Sequence, residues 1–223
     1  MKLQLQFFAL ALFSLLFTHC QCTPEPNCVE FPGGKKYECA AMLDFSPRSD
    51  TFRIGDTIKV TINLPAVAVD IASGDTLAVG KLNLTELYSS AAGLYMDQMG
   101  KAAYYVADNF FDYDVKEGTF RIAGSGAAAI GTFKMQVMPD QSQRFSVFII
   151  PRKTGLFSIG YFGAFTVSTG LFDDYCYSET QVYFQLPDDR DSGNYHLARP
   201  YQSLLGAYDV YKRSGTFTFQ VQE

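Results

Sequence analysis

The sequence predicts an all-β fold: an antiparallel β-sandwich of about ten strands, with one short helix or long crossover in the middle. Three observations carry the prediction. Residues 56–65 read Asp-Thr-Ile-Lys-Val-Thr-Ile-Asn-Leu-Pro. Ile58, Val60, Ile62 and Leu64 fall on one side and Thr57, Lys59, Thr61 and Asn63 on the other. That period of two belongs to a strand with one buried and one wet face. The same alternation returns until the last residues, separated by turn clusters such as Ser46-Pro47-Arg48-Ser49-Asp50, Ala72-Ser73-Gly74-Asp75 and Pro139-Asp140-Gln141-Ser142. Helical patterns do not alternate with the strands, which argues against a parallel α/β sheet. Finally, the chain holds 20 Phe and 14 Tyr but no Trp, and abundant aromatics suit pleated surfaces.

Each segment is assigned from its own pattern. Residues 37–45 place Cys39, Ala41, Leu43 and Phe45 in one row. Residues 66–71, with Val67, Val69 and Ile71 in phase, and residues 76–84 read as a hairpin. Residues 85–109 carry Leu87, Ala91, Leu94, Met99, Ala103 and Val106 at near-helical spacing, so a short helix or irregular crossover is expected there; Gly93 and Gly100 oppose a regular helix. Residues 110–115 and 119–123 are brief strands. Residues 127–138 put Phe133, Met135 and Val137 inward. Residues 143–150 end at Pro151, and residues 156–167 form a strand interrupted at Gly160 and Gly163, where a bulge or close backbone contact is expected. Residues 180–186 alternate with Val182, Phe184 and Leu186 on one side. Residues 195–211 are mixed, with a helical turn near 202–205. The last strand turns Phe217, Phe219 and Val221 inward and Thr216, Thr218, Gln220 and Gln222 outward.

The organisation expected is a signal peptide over residues 1–20, a Cys/Pro/Gly-rich leader over 21–36 and a single β-sandwich domain over 37–223. Met1-Lys2 precedes an apolar run, followed by Thr18-His19-Cys20-Gln21-Cys22; basic start, apolar stretch and small residues near the cut describe an export signal. The run is too short to span a bilayer comfortably, so no transmembrane segment is expected. Cleavage after Cys20 leaves Cys22, Cys28, Cys39 and Cys176, the even number of an oxidised exported domain. Three pairings satisfy them; the simplest joins Cys28 to Cys39 and Cys22 to Cys176. A lipid anchor at Cys20 is the competing form of processing, although His19 and Phe17 depart from the usual lipoprotein pattern.

The formal charge is −5 and the only basic cluster is Lys35-Lys36, so no nucleic-acid partner is expected. Among chemical motifs the sequence is sparse. His196 is the only histidine beyond the signal, and Gly124-Ser125-Gly126 lacks nucleophile-elbow spacing. Asp189 and Asp191 sit in an acidic loop whose alternating oxygens, with Gly193, echo part of a calcium loop, which makes structural calcium the one cofactor the pattern suggests; a single histidine and paired cysteines leave too few ligands for zinc. Tyr104, Tyr105, Phe111 and Tyr113 form an aromatic cluster suited to stacking on a sugar or to a protein contact. Asp112 and Asp114, about 7 Å apart along a strand, are the carboxylate pair a glycosidase would need. Asn83-Leu84-Thr85 fits a glycosylation acceptor.

The functional expectation is an exported, disulfide-stabilised β-sandwich, secreted or periplasmic or held at the cell surface, that binds a protein or polysaccharide or plays a structural part. The alternative is an extracellular glycan-directed hydrolase using the carboxylate pair.

Overall fold

The structure is a computed structural model that describes residues 35–81, 84, 87–125, 129–162, 164–168, 178–187 and 193–223. The expected signal peptide, Cys20, most of the leader, the Asn83 and Thr85 of the acceptor motif, and Cys22, Cys28, Cys176, Asp189 and Asp191 lie outside these residues.

The strands are β1 (Lys35–Ser46), β2 (Thr51–Arg53), β3 (Ile58–Leu64), β4 (Val67–Val69), β5 (Thr76–Ala78), β6 (Leu87–Met96), β7 (Ala102–Val106), β8 (Phe111–Glu117), β9 (Thr119–Ala123), β10 (Ile130–Lys134), β11 (Gln136–Val137), β12 (Gln143–Pro151), β13 (Gly155–Phe162), β14 (Ala164–Ser168), β15 (Ser178–Gln185) and β16 (Phe217–Gln222). Short helices α1 (Tyr195–Ala198), α2 (Gln202–Leu205) and α3 (Tyr208–Arg213) precede β16. Sheet one runs β11-β12-β3-β1-β15-β14, with β8 also on β12. Sheet two runs β2-β16-β13-β6-β10-β9, with β7 also on β6. The hairpin β4–β5 stands apart from both sheets. Most pairs are antiparallel, as expected, but β1–β15 and β2–β16 are parallel.

β1 and β3 form as their alternation requires. Cys39, Ala41, Leu43 and Phe45 of β1 meet Ile58, Val60, Ile62 and Leu64 of β3 in one buried layer. Sheet two supplies Phe52, Phe133, Phe157, Phe217 and Phe219 from the other side. The layers interlock through aromatic rings: Phe45 stacks on Phe217 at 4.4 Å, and Phe133 meets Phe145 at 4.6 Å. Burying such rings removes about 150–250 Å² each from water, and this burial is the main force holding two sheets together.

Several strands are shorter than their patterns suggest because the chain changes sheets within one run. β10 lies in sheet two and β11 in sheet one, so Phe133 is buried while Val137 is exposed rather than inward. The break expected around Gly163 falls where β13 of sheet two gives way to β14 of sheet one. Between β8 and β9 the chain crosses at Gly118, whose φ of +82° suits glycine and whose missing Cβ would overlap the Lys134 carbonyl oxygen.

Four features depart from the expectations or add to them. Residues 85–109 form no α-helix in their described part: β6 and β7 pair as a hairpin, followed by a 3₁₀ turn at Asp108–Phe110. Leu87, Ala91 and Leu94 of β6 and Ala103 and Val106 of β7 fall at near-helical spacing, but they belong to two antiparallel strands joined by a turn. In the β4–β5 hairpin, Ala68 and Leu77 point inward, whereas Val67, Val69 and Ile71 face solvent; a one-residue difference of phase inverts every side chain. Thr216 and Thr218 are buried, because α1 and Tyr211 of α3 cover that face of β16. Tyr211 is fully buried there; its hydroxyl donates to the Gly193 carbonyl and contacts Thr218 Oγ1 at 2.9 Å, and Thr218 Oγ1 donates to Ser158 Oγ at 3.2 Å. Such a covered polar face is tolerable only because its hydroxyls find partners. Finally, Cys39 is a free thiol buried in the core, its pKa pushed up to about 11 by burial and by the nearby Asp70 charge. Cys28, the partner expected for it, lies outside the described residues.

Candidate functional site

The sequence-predicted aromatic cluster separates into three environments. Phe111 is a core residue at 4% exposure, in contact with Phe157 and Phe219. Tyr113 is half-buried and tilts over Phe120 at 4.4 Å. Tyr104 and Tyr105 are exposed on β7, at 59% and 38%. Successive residues of a strand point to opposite faces, so these two tyrosines serve different surfaces.

Tyr105 belongs to a ladder of rings that leads from solvent into the core. Tyr95, 45% exposed on β6, lies 6.1 Å from Tyr105. Tyr105 lies 5.5 Å from Phe110, which meets Phe157 edge-on at 6.3 Å. Lys153 sits above the Phe110 ring, with its Nζ 3.9 Å from the centroid, a cation–π contact. Partial burial raises the Tyr105 phenol above its ordinary pKa. Around the rim, Arg152 donates to Asp112 at 3.0 Å.

Local sequence explains the placement. Gly93 stands directly across from Tyr105 in the β6–β7 register. A Cβ there would overlap the Tyr105 ring, so the glycine lets the ring lie flat across β6. Asp108 anchors the turn that presents Phe110. It is 1% exposed, and its carboxylate oxygens each lie 3.4 Å from the Ala91 N–H. Burial raises its pKa to about 6, while the long bonds to Ala91 only partly offset this.

The remaining candidates do not converge. Asp112 and Asp114 are exposed on β8, and each holds its own cation, Arg152 and Lys116 respectively. Carboxylates neutralised separately on an open strand do not form the acid-and-nucleophile pair that glycoside cleavage needs. His196 Nε2 lies 3.7 Å from Asp50, both half-exposed. Among the described residues, no three His, Cys, Asp or Glu side chains gather as a metal site, and no helix is long and apolar enough to cross a membrane. Sequence reasoning missed Tyr95 and Lys153 as parts of the surface. The pairing of 95 with 103 across a hairpin was hidden while this segment was read as helical.

No family model and no curated protein matches the chain. Two solved structures resemble it distantly. One is a non-cellulosomal cohesin from the hyperthermophilic archaeon Archaeoglobus fulgidus, at 8% identity, TM-score 0.24, covering 65% of this chain and 91% of that one. The other is a family 123 glycoside hydrolase from Clostridium perfringens, at 10% identity, TM-score 0.18, covering 67% of this chain and 23% of that one. At these scores the likenesses carry no functional argument, and the two-sheet architecture rests on the strand pairings themselves.

Proposed function

We propose that the protein is a binding module, exported and acting at the cell surface or outside the cell, that takes a protein or polysaccharide over the ring ladder at the β6–β7 end of the sandwich. The observation that supports this is the continuity from Tyr95 through Tyr105 and Phe110 to the core ring of Phe157. Exposed aromatic rings whose inner neighbours are locked in a core lose little conformational freedom when they bind. Their flat faces suit sugar rings or apolar side chains, and Lys153 adds a donor at the edge. Export rests on the expected signal sequence alone.

The test uses tyrosine emission, which no Trp obscures. The protein is titrated with soluble polysaccharides and with unstructured peptides, alongside the Tyr105→Ala and Tyr95→Ala variants. Saturable quenching in the parent and its loss in both variants, with unchanged circular dichroism, supports the proposal. Absence of saturable binding to either class, or binding equal in all three proteins, overturns it.

A further inference from the structure

The groups around the ring ladder select among the ligands it could take. Gly93 of β6 lies opposite Phe157 on one side and Tyr105 on the other. Tyr95 is two residues further along β6, so Tyr95 and Tyr105 share one face. The helical segment at residues 199–205 contacts β7, and with it in place Tyr95 and Tyr105 remain 45% and 38% exposed. The turn after β12 closes the far end of this floor. A Cβ on Gly155 would stand 3.6 Å from the Tyr105 hydroxyl oxygen, and two residues earlier Lys153 holds its ammonium over Phe110.

The backbone beneath the rings is already engaged. Ala107 N–H donates to Ala91 O and Asp97 N–H to Lys101 O, so in the same register Gly93 with Tyr105 and Tyr95 with Ala103 turn their N–H and C=O groups toward each other. An extended peptide laid across the rings would find no backbone partner there, and its own amides would lose water without replacement. A sugar ring presents apolar C–H faces and keeps its hydroxyls in water at the rim, so it covers the rings without that loss. Charge narrows the class further. Arg152 is held by Asp112 at 3.0 Å. Lys153 has no carboxylate partner among the described residues, and its ammonium lies 3.9 Å from the Phe110 centroid. A ligand that reaches Phe110 displaces water from that ammonium. A neutral group leaves the cation poorly solvated, whereas an anionic one takes the place of the water. Arg152, Lys153 and Asp112 together leave one positive charge beside the rings, on a chain whose formal charge is −5.

Resting on the proposed binding role of the ladder, we infer that its ligand is a polysaccharide of uronic acids. Sugar faces lie on Tyr95 and Tyr105, and a sugar carboxylate meets the Lys153 ammonium. The carboxylate of a uronic acid stands at the edge of the sugar ring, so it reaches the cation without lifting the sugar from the aromatic floor.

The test titrates the full chain with fragments of polygalacturonate, alginate and hyaluronan, with the methyl esters of the same fragments, and with polyglutamate and dextran sulfate. Tyrosine emission reports binding. The expected result is saturable binding of at least one uronate fragment, about threefold or more tighter than its ester, a preference of the size an exposed ion pair supplies. That preference should shrink as salt rises. Lys153→Met should erase it and Lys153→Arg should keep it. Equal binding of acid and ester, or a preference that survives Lys153→Met, overturns the inference while leaving the ladder a binding site. Polyglutamate or dextran sulfate binding tighter than every uronate does the same, since the site would then answer to negative charge alone. Saturable binding of peptides with none of any uronate also overturns it and spares the ladder. Uronate binding that persists in Tyr105→Ala, or no binding of any saccharide or peptide, overturns both readings.

Discussion

β3 and the β6–β7 hairpin are built from the same backbone ladder and face opposite problems. β3 lies between β1 and β12, with one face in the core and the other wet. Its Ile-Lys-Val-Thr-Ile-Asn-Leu sequence alternates to match. β6 also has strands on both sides, but its outer face is partly covered, with Leu94 buried and Tyr211, Thr218 and Ser158 closed under the terminal helices. It uses Ser89, Ser90, Ala91, Ala92 and Gly93, small enough for close approach from both directions. β7 then carries two large rings, Tyr104 and Tyr105, that both reach solvent. The difference teaches that a strand's alternation records the asymmetry of its two faces. Where both faces are covered, or neither is, the alternation fades.

Four variants break or sharpen this contrast. The largest effect is expected on the buried side. Phe219→Ala removes a fully buried ring in contact with Phe52, Phe111, Phe157 and Phe217, and should cost about 3–5 kcal/mol in a urea melt. A loss below about 1 kcal/mol would mean the two sheets do not pack through this row.

Next comes Asp108, the buried carboxyl beneath the ladder. Its folded pKa of about 6 lies above the ordinary value, so the folded protein holds its proton more tightly than the unfolded chain. Stability attributable to this group is therefore highest below the unfolded pKa, near pH 4, and falls as pH rises through about 6. Asp108→Asn should gain about 2 kcal/mol at pH 8 and flatten the slope between pH 4 and 6. An unchanged slope would assign the pH dependence to another group.

Gly93→Ala is a milder change at the boundary between the two regions. The added methyl must displace the free end of the Tyr105 ring, while the shorter list of backbone conformations open to alanine favours folding. The net change should stay within about 1 kcal/mol, yet the ring-proton contacts between Tyr105 and Phe110 should vanish in a nuclear Overhauser spectrum. Their persistence would show that Gly93 does not set the ring's position. Smallest of all, Tyr95→Ala at the exposed end should alter the thermal midpoint by no more than the equivalent of about 0.5 kcal/mol. A larger drop would mean Tyr95 holds the hairpin together and is not a contact residue.

The sequence alone made the inner rows of β1, β3, β15 and β16 legible, because each buries one face against the opposite sheet and leaves the pattern of that burial in its residue order. It also placed a helical turn at 202–205, where α2 lies. It misread 85–109, where apolar residues of two paired strands and their turn fall at near-helical spacing, and it recognised the β4–β5 hairpin without saying which face is buried. The aromatic cluster was visible as composition, but its division was not.

What the residue order determined by itself is the class of fold: alternation and turn chemistry act between near neighbours and need no knowledge of the rest of the chain. Only the tertiary structure decided which strand lies at an edge, where a run such as 130–137 leaves one sheet for the other, and which of Tyr104, Tyr105, Phe111 and Tyr113 reach solvent. The physical reason is that exposure depends on what packs over a residue, and here those partners come from distant segments: Phe157 and Phe219 over Phe111, and Gly93 beneath Tyr105.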